Sequence, residues 1–128
     1  MKTHYTVALA MLAGIAIGAV AVQGLHAQAK PRAYIVSELE VVDTAANATV
    51  VPLIQAAQKA AGGRTFNTGR GKIIALEGAP APKNVAISEW DSLEQAQAFN
   101  NSPAWKNLVP QRDKSSKTIR RYLVEAAN

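Results

Sequence analysis

Side chains that act as metal ligands or nucleophiles are scarce in this sequence. It contains no cysteine, two histidines and two methionines, and the latter four all lie before residue 27, at Met1, His4, Met11 and His26. From residue 30 onward there is no imidazole and no thiol, which excludes Ser-His-Asp and Cys-His nucleophiles. Disulfides and the usual ligands of zinc, copper and histidine-bound haem are missing as well. Any chemistry must come from carboxylate, Lys, Arg or Tyr side chains or from a bound cofactor, and we predict no metal and no cofactor.

Long apolar runs are also rare, and the clearest one lies at the start of the chain. Val7–Val22 is apolar throughout, a lysine and a histidine precede it, and Ala27-Gln28-Ala29 supplies small residues at the spacing of a signal-peptidase site. We predict a secretory signal peptide over residues 1–29, cleaved after Ala29 or alternatively after Ala27. Residues 30–128 then form one exported domain, located in the periplasm.

The competing interpretation of this run is an uncleaved membrane anchor. Its 16 residues fall short of the ~20 that a helix needs to span the hydrocarbon core. We therefore expect cleavage, and no membrane association afterwards.

Basic residues outnumber acidic ones, and the formal net charge is +5. Much of the excess lies late in the chain, at Arg112, Lys114, Lys117, Arg120 and Arg121. A basic patch can bind nucleic acid, but the interleaved aromatic residues of a nucleic-acid platform are missing here. Together with export, this favours a solvated helix face and strand end, and we predict no nucleic-acid partner.

The first part of the domain reads as a strand followed by a helix. Ala33–Asp43 alternates between two faces and is rich in β-branched residues, which is typical of a strand. An apolar stripe at helical spacing predicts a helix over Ala45–Ala61, capped by Asp43 or the threonine after it. Gly62-Gly63 ends this helix, and Pro52 predicts a late start or a bend.

The remaining pattern continues as strands and helices in a definite order. We predict strands over Arg64–Gly69 and Asn84–Trp90, with Lys72–Gly78 extending or following the first of them, then helices over Leu93–Asn100 and from Pro103 to about Ser116, and a last strand over Thr118–Ala126. The order βαββαβ predicts an α+β, ferredoxin-like fold in which helices back an antiparallel sheet. About 100 residues cannot supply helices for both faces of the sheet, so we also predict a homodimer whose partner sheet covers the second face.

Four motifs follow one another along the chain: AYIVSELEVVD, AGGRTFNTG, ALEG before a proline-rich hairpin, and ISEWDSLEQAQAFNNSPAWKNLVPQR. In this order they resemble the DUF1330 family. The resemblance implies ferredoxin-like subunits that pair as a dimeric α/β barrel. It implies no settled reaction, because relatives of this fold include cofactor-independent oxygenases and non-catalytic stress proteins. Two positions depart from the family pattern, since Trp90-Asp91 stands in place of Phe-Pro and Trp105 in place of Tyr.

Glu89 and Arg112 are the candidate catalytic residues. Alternation with Trp90 places Glu89 on the face of Val85 and Ile87. An acid on an apolar face is costly unless paired, and its pKa can rise to a value suited to proton transfer. Arg112, which stands at the position of the family's arginine, is the expected partner. The pair is either a structural link to the second helical segment, or an anion clamp or general base.

Tyr34, Asn67 and Trp90 complete the candidate ligand-binding set with Glu89 and Arg112. Polar and aromatic groups on strands orient small ligands, although such residues also pack in cores and dimer interfaces. We expect Trp105 to anchor its helix onto the sheet.

Two functions remain open on this evidence. One is an exported protein that binds a small organic ligand or is associated with stress, without turnover. The other is a cofactor-independent enzyme that abstracts a proton from a small organic molecule or oxygenates it, using Glu89, Arg112 and Tyr34. A cavity that reaches Glu89 from solvent would favour the enzyme, and a sealed Glu89 would favour the binding protein.

Overall fold

The computed structural model describes residues 29–66, 68 and 71–127, so nearly all of the predicted signal peptide lies outside it. Within the described residues the elements are β1 Ala33–Val41, α1 Thr44–Ala60, β2 Arg64–Phe66, β3 Asn84–Trp90, α2 Leu93–Asn101, α3 Pro103–Lys106, α4 Val109–Ser115 and β4 Ser116–Glu125. In this part of the chain, no helix has the length and apolar character needed to cross a membrane.

The four strands form one antiparallel sheet in the order β2-β3-β1-β4. Strands adjacent in the sheet are therefore mostly distant in sequence, as the ferredoxin-like connection of strands through helices requires. A register shift between Glu38 and Leu39 interrupts the pairing of β1 with β4. The predicted α+β fold, with helices backing an antiparallel sheet, is confirmed.

Residues next to the two ends of α1 explain where this helix begins and ends. Asp43 caps α1, and its Oδ1 accepts a hydrogen bond from the backbone N–H of Ala46 at 2.9 Å. Gly62 follows the helix with φ 90°, a conformation that glycine adopts without strain. The late start expected at Pro52 is wrong, because α1 runs through this proline from Thr44.

The second helical segment is divided into three short helices. Ser92 caps α2 by accepting from the N–H of Gln95 at 3.2 Å, and Ser102 caps α3 by accepting from the N–H of Trp105 at 3.2 Å. The single helix predicted from Pro103 to about Ser116 is instead α3 and α4. Pro110 explains the break, because it has no N–H to donate to the carbonyl of Lys106, where a continuous helix would need one.

Aromatic side chains fill the core between the helices and the sheet. The ring of Trp90, which is fully buried, stacks on Phe99 with centroids 4.8 Å apart, and Phe99 contacts Trp105 at 5.7 Å. Ile35 joins them from β1. A Cβ added at Gly63 would lie 2.7 Å from the Trp90 ring, so this close approach of the chain to the core requires glycine. Trp105 thus anchors its helix, as expected.

Of the strand predicted over Arg64–Gly69, the structure describes β2 over Arg64–Phe66. β2 ends at Phe66, Thr68 lies outside any strand, and residues 72–76 have no regular structure. Ile74 and Leu76 are 70% and 92% exposed. The proposed extension over Lys72–Gly78 is therefore wrong. Prolines on the far side of the turn cannot donate the N–H groups that a hairpin partner for this segment would need.

The other face of the sheet bears rows of side chains that cross all four strands. Helices pack on the face of Ile35 and Trp90, and the cross-strand register places the alternate residues opposite them. The central row is apolar and consists of Phe66, Ile87, Val36 and Tyr122. The row beside it consists of Arg64, Glu89, Tyr34 and Val124. We call this the helix-free face; Phe66, Tyr122 and Val124 on it are each nearly half exposed.

Candidate functional site

A cavity of about 230 Å³ lies between α1 and the sheet. Its walls are mainly apolar and include Ile35 and Leu39 of β1 and Val50 and Ile54 of α1. Val50 is almost fully buried where it lines this cavity. Exposed lining residues, Gln55 among them, mark where the cavity reaches the surface.

The polar side chains that line this cavity carry amide, hydroxyl and guanidinium groups, and two of them bond to each other. The amide oxygen of Gln58 accepts a hydrogen bond from the hydroxyl of Thr65 at 2.7 Å, which ties α1 to β2. The hydroxyl of Ser88 accepts from the indole N–H of Trp90 at 3.0 Å. Among the described lining residues there is no carboxylate, imidazole, thiol, phenol or lysine amine.

Two arginines enter the cavity at the end closed by Trp105. The guanidinium carbons of Arg112, on α4, and Arg121, on β4, lie 5.2 and 4.4 Å from the Trp105 ring centroid. The side chain of Arg112 is only 16% exposed, and its Nε and Nη2 donate to one oxygen of Asp113 at 2.9 and 2.6 Å. Arg121 donates through Nη1 to the amide oxygen of Asn100. Burial, together with the positive charge of Arg112, lowers the pKa of Arg121 to about 10.

Glu89 lies on the opposite side of the sheet, in a cluster of its own on the helix-free face. Its Oε1 accepts hydrogen bonds from Nε of Arg64 at 2.7 Å and Nη1 of Arg32 at 2.8 Å, and its Oε2 accepts from the hydroxyl of Tyr34 at 3.0 Å. Arg64 also donates through Nη2 to Asp91 at 2.7 Å. These donors leave only 10% of the Glu89 side chain exposed.

The hydrogen bonds to Glu89 stabilise its ionised form. That from Arg64 is the main reason that the pKa of Glu89 falls to about 2, with Tyr34 and Arg32 adding to the effect and burial opposing it. The hydrogen bond that Tyr34 donates to Glu89 raises the pKa of the Tyr34 phenol. At neutral pH Glu89 is therefore a carboxylate held by two cations and a neutral phenol, which is a poor general base.

The predicted pairing of Glu89 with Arg112 is wrong. The register of β1 and β2 against β3 brings Tyr34 and Arg64 directly opposite Glu89 on the helix-free face. Arg112 is on a helix, on the other side of the sheet, and its carboxylate partner is Asp113. The raised pKa expected for Glu89 is wrong for the same reason, because cations surround the carboxylate where apolar neighbours were expected.

The predicted ligand-binding residues do not converge on one place. Tyr34 and Glu89 share the cluster on the helix-free face, and Trp90 is fully buried in the core. Asn67 lies outside the described residues, although Thr68 beside it lines the cavity. Of the predicted set, Arg112 lines the cavity. The ligand-binding role of these residues stays a prediction.

Comparison with known protein families identifies the family of this chain. The model of DUF1330, a domain of unknown function, matches residues 32–127. The chain belongs to the DUF1330 family. The match spans every element of the fold, so the cavity and both arginines lie inside the DUF1330 domain. No curated protein sequence matches this DUF1330 chain.

Solved structures with low sequence identity share the fold. A protein of unknown function from Rhodopseudomonas palustris is 14% identical over 84% of this chain and 89% of its own, with a TM-score of 0.56. A dimeric ferredoxin-like protein of unknown function from Thermobifida fusca is 12% identical over 77% and 92%, with a TM-score of 0.50. A Bacteroides thetaiotaomicron protein described as a possible oxidoreductase is 9% identical over 77% and 100%, with a TM-score of 0.51. At such identities the likeness shows that this DUF1330 protein is ferredoxin-like in fold.

Sequence reasoning missed three arginines that shape the two sites. Arg121 alternates with Leu123, which packs against the core, so the period of β4 already indicated that Arg121 faces the helices. Arg32 and Arg64 carry no comparable signal, because their contacts with Glu89 depend on three segments coming together.

In the part of the chain described by the structure, no group of three acidic, histidine or cysteine side chains is placed to hold a metal ion.

Proposed function

We propose that this DUF1330 protein is an exported homodimer that binds a small organic molecule in the cavity between α1 and the sheet, without turning it over. The observation that carries the proposal is the cavity itself, about 230 Å³ of mainly apolar space with two arginines at one end. Concave apolar sites with a few placed polar groups are the usual form of small-molecule sites.

The side chains that line the cavity support binding without turnover. A general acid or base must lie within hydrogen-bonding distance of the proton that it transfers. The described lining residues offer amides, hydroxyls and guanidinium groups, none of which has a pKa near neutrality. The residues named for the enzyme hypothesis are divided between the two sides of the sheet, with Glu89 and Tyr34 on one and Arg112 on the other.

The homodimer is supported by the helix-free face. Its central row is apolar across the full width of the sheet, and Phe66 and Tyr122 at the two ends of the row are about half exposed. An apolar sheet face needs a covering layer, and a second copy of the same face supplies one. The Thermobifida fusca protein of similar fold is described as dimeric.

Export is supported by the features of residues 1–29. A positively charged start, an apolar run and an Ala-x-Ala site before Lys30 together are the marks of a secretory signal peptide. The absence of cysteine from the chain means that an oxidising compartment has no thiol to modify.

Thermal-shift screening of a metabolite library with the purified protein tests the binding function. Ligands that raise the unfolding temperature should lose this effect in Val51→Trp, because residue 51 lines the cavity and an indole would occupy it. Leu53→Trp is the matched control, since Leu53 is exposed on the same helix and is not part of the lining. Ligands that stabilise both variants equally would place binding outside the cavity and contradict the proposal.

A further inference from the structure

Two positive charges share one wall of an apolar cavity, and this arrangement is unusual without a counter-ion. Arg112 and Arg121 both lie against the Trp105 ring, at 5.2 and 4.4 Å from its centroid. Part of each guanidinium is stabilised there by the electron-rich face of the indole. The ring is neutral, however, and cannot balance two charges that repel each other.

The carboxylates near these arginines balance only one of them. Asp113 binds Arg112 through a single oxygen, is itself 55% exposed, and does not line the cavity. Arg121 bonds to Asn100, an uncharged amide, and it forms no ion pair with any residue in the described part of the chain. The cavity wall therefore carries a net positive charge.

The charge on Arg121 is maintained at a cost. Its pKa is lowered to about 10 by burial and by the neighbouring charge of Arg112, yet the group still remains protonated at neutral pH. A partly buried cation without a carboxylate destabilises the fold, whereas one that meets an anion in the bound state contributes to affinity. Guanidinium groups bind carboxylates with two parallel hydrogen bonds, a geometry that lysine cannot offer.

We propose that the ligand of this cavity is a small hydrophobic carboxylic acid, whose carboxylate is bound by Arg121 and Arg112 and whose apolar body contacts Ile35, Val50 and Ile54. This inference rests on the proposed binding function and names its ligand class. An apolar cavity of roughly 150 Å³ holds benzene. The present cavity of about 230 Å³ thus has room for one ring or a short chain together with a carboxylate.

Calorimetric titration of the unmodified protein with a matched ligand series tests the inference. Benzoate and hexanoate are compared with benzamide and hexanamide, which have nearly the same shape and no charge, and with inorganic phosphate, which has charge and no apolar body. We expect each acid to bind at least ~10-fold more tightly than its amide, because charge-assisted bonds to guanidinium are stronger than neutral ones. Phosphate is expected to bind more weakly than either acid.

Two neighbouring arginines then provide a variant and its control. Arg121→Gln is expected to remove the preference for acid over amide. Arg120→Gln should leave it unchanged, because Arg120 lies on the helix-free face, paired with Glu38 at 2.7 Å. Circular dichroism tests whether both variants are folded. If Arg121→Gln is not folded, the comparison of acids with amides on the wild-type protein remains decisive.

The outcomes of the titration distinguish a failure of the carboxylate inference from a failure of the proposed binding function. Acids and amides that bind equally would overturn the carboxylate inference and leave cavity binding intact. Phosphate as tight as benzoate would overturn the hydrophobic part of it. If no library ligand and no member of this series binds, the binding function itself is contradicted.

Discussion

The hydrogen bonds to Glu89 make the stability of the folded protein depend on pH. Its pKa is about 2 in the folded protein and 4.5 in an unstructured chain, so its ionised form is favoured by folding. A lowered pKa of this kind contributes stability that is complete above about pH 5 and is lost as the pH falls through 4.5 toward 2. Tyr34, Arg32 and Arg64 donate the hydrogen bonds that are responsible.

Glu89→Gln is expected to lower the free energy of unfolding at pH 7, because an amide leaves Arg32 without its carboxylate and leaves Arg64 with Asp91 alone. The difference between the wild type and the variant should narrow steadily between about pH 5 and pH 2. Urea denaturation at several pH values across this range measures it. Glu77→Gln, at an exposed position, is the control and should show no such narrowing. A Glu89→Gln difference that is the same at pH 7 and pH 2.5 would contradict this account.

The errors at the residue scale have a common physical origin. Alternation along β3 correctly placed Glu89 and Trp90 on opposite faces, but it does not say which face carries the helices. Once Trp90 packs against Phe99 of α2, a helical Arg112 cannot reach Glu89. Partners contributed by two distant segments, as for Glu89, leave no periodic trace in the sequence.

Elements that depend on local chemistry were predictable. The bounds of β3 agree with the prediction, and the caps at Asp43 and Ser92 lie where the side chains indicated. Elements that depend on tertiary context were not predictable, and β2 is the clearest case. The extent of β2 depends on its pairing with β3, which in the described residues joins Arg64, Thr65 and Phe66 to Glu89, Ser88 and Ile87.

The junction between α1 and β2 provides a prediction at this scale. Gly63→Ala should destabilise the protein by ~1–3 kcal/mol, the range for an overpacked core, because the new Cβ would lie 2.7 Å from the Trp90 ring. Urea denaturation of Gly63→Ala, Trp90→Phe and the double variant measures the coupling. The smaller ring should relieve the contact, so the double variant should lose less than the sum of the single losses. Additive losses would mean that the two residues do not compete for the same space.

For the whole molecule, the helix-free face predicts a dimer in solution. Light scattering should give twice the mass of one chain at micromolar concentration. Tyr122→Asp should weaken association by ~100-fold or more, since it would bury an unpaired charge in the apolar row. Leu53→Asp, which places the same charge on the exposed side of α1, should leave the mass unchanged. A wild-type protein that is monomeric at this concentration would refute the assignment of this face.

Processing of the chain is the second prediction at the scale of the whole molecule. N-terminal sequencing of the protein from a periplasmic extract should begin at Lys30, or at Gln28 if the alternative site is used. Ala29→Leu should shift cleavage to the site after Ala27, and Ala27→Leu should impair both sites, because each needs a small residue at position 27. Recovery of a chain that begins at Met1 in the membrane fraction would instead indicate an uncleaved anchor.

The position of β4 at one end of the sheet has a consequence for solubility. Its ten residues pair with β1 on one side only, and the backbone groups of the other side are not taken up by any strand of the described chain. Long free edges of this kind invite edge-to-edge growth into fibrils, and lysine or arginine on the edge opposes it. Lys117 lies exposed on β4, so two such edges would approach each other with like charges at this position. An exposed lysine on this edge opposes the pairing of β4 with the β4 of a second copy.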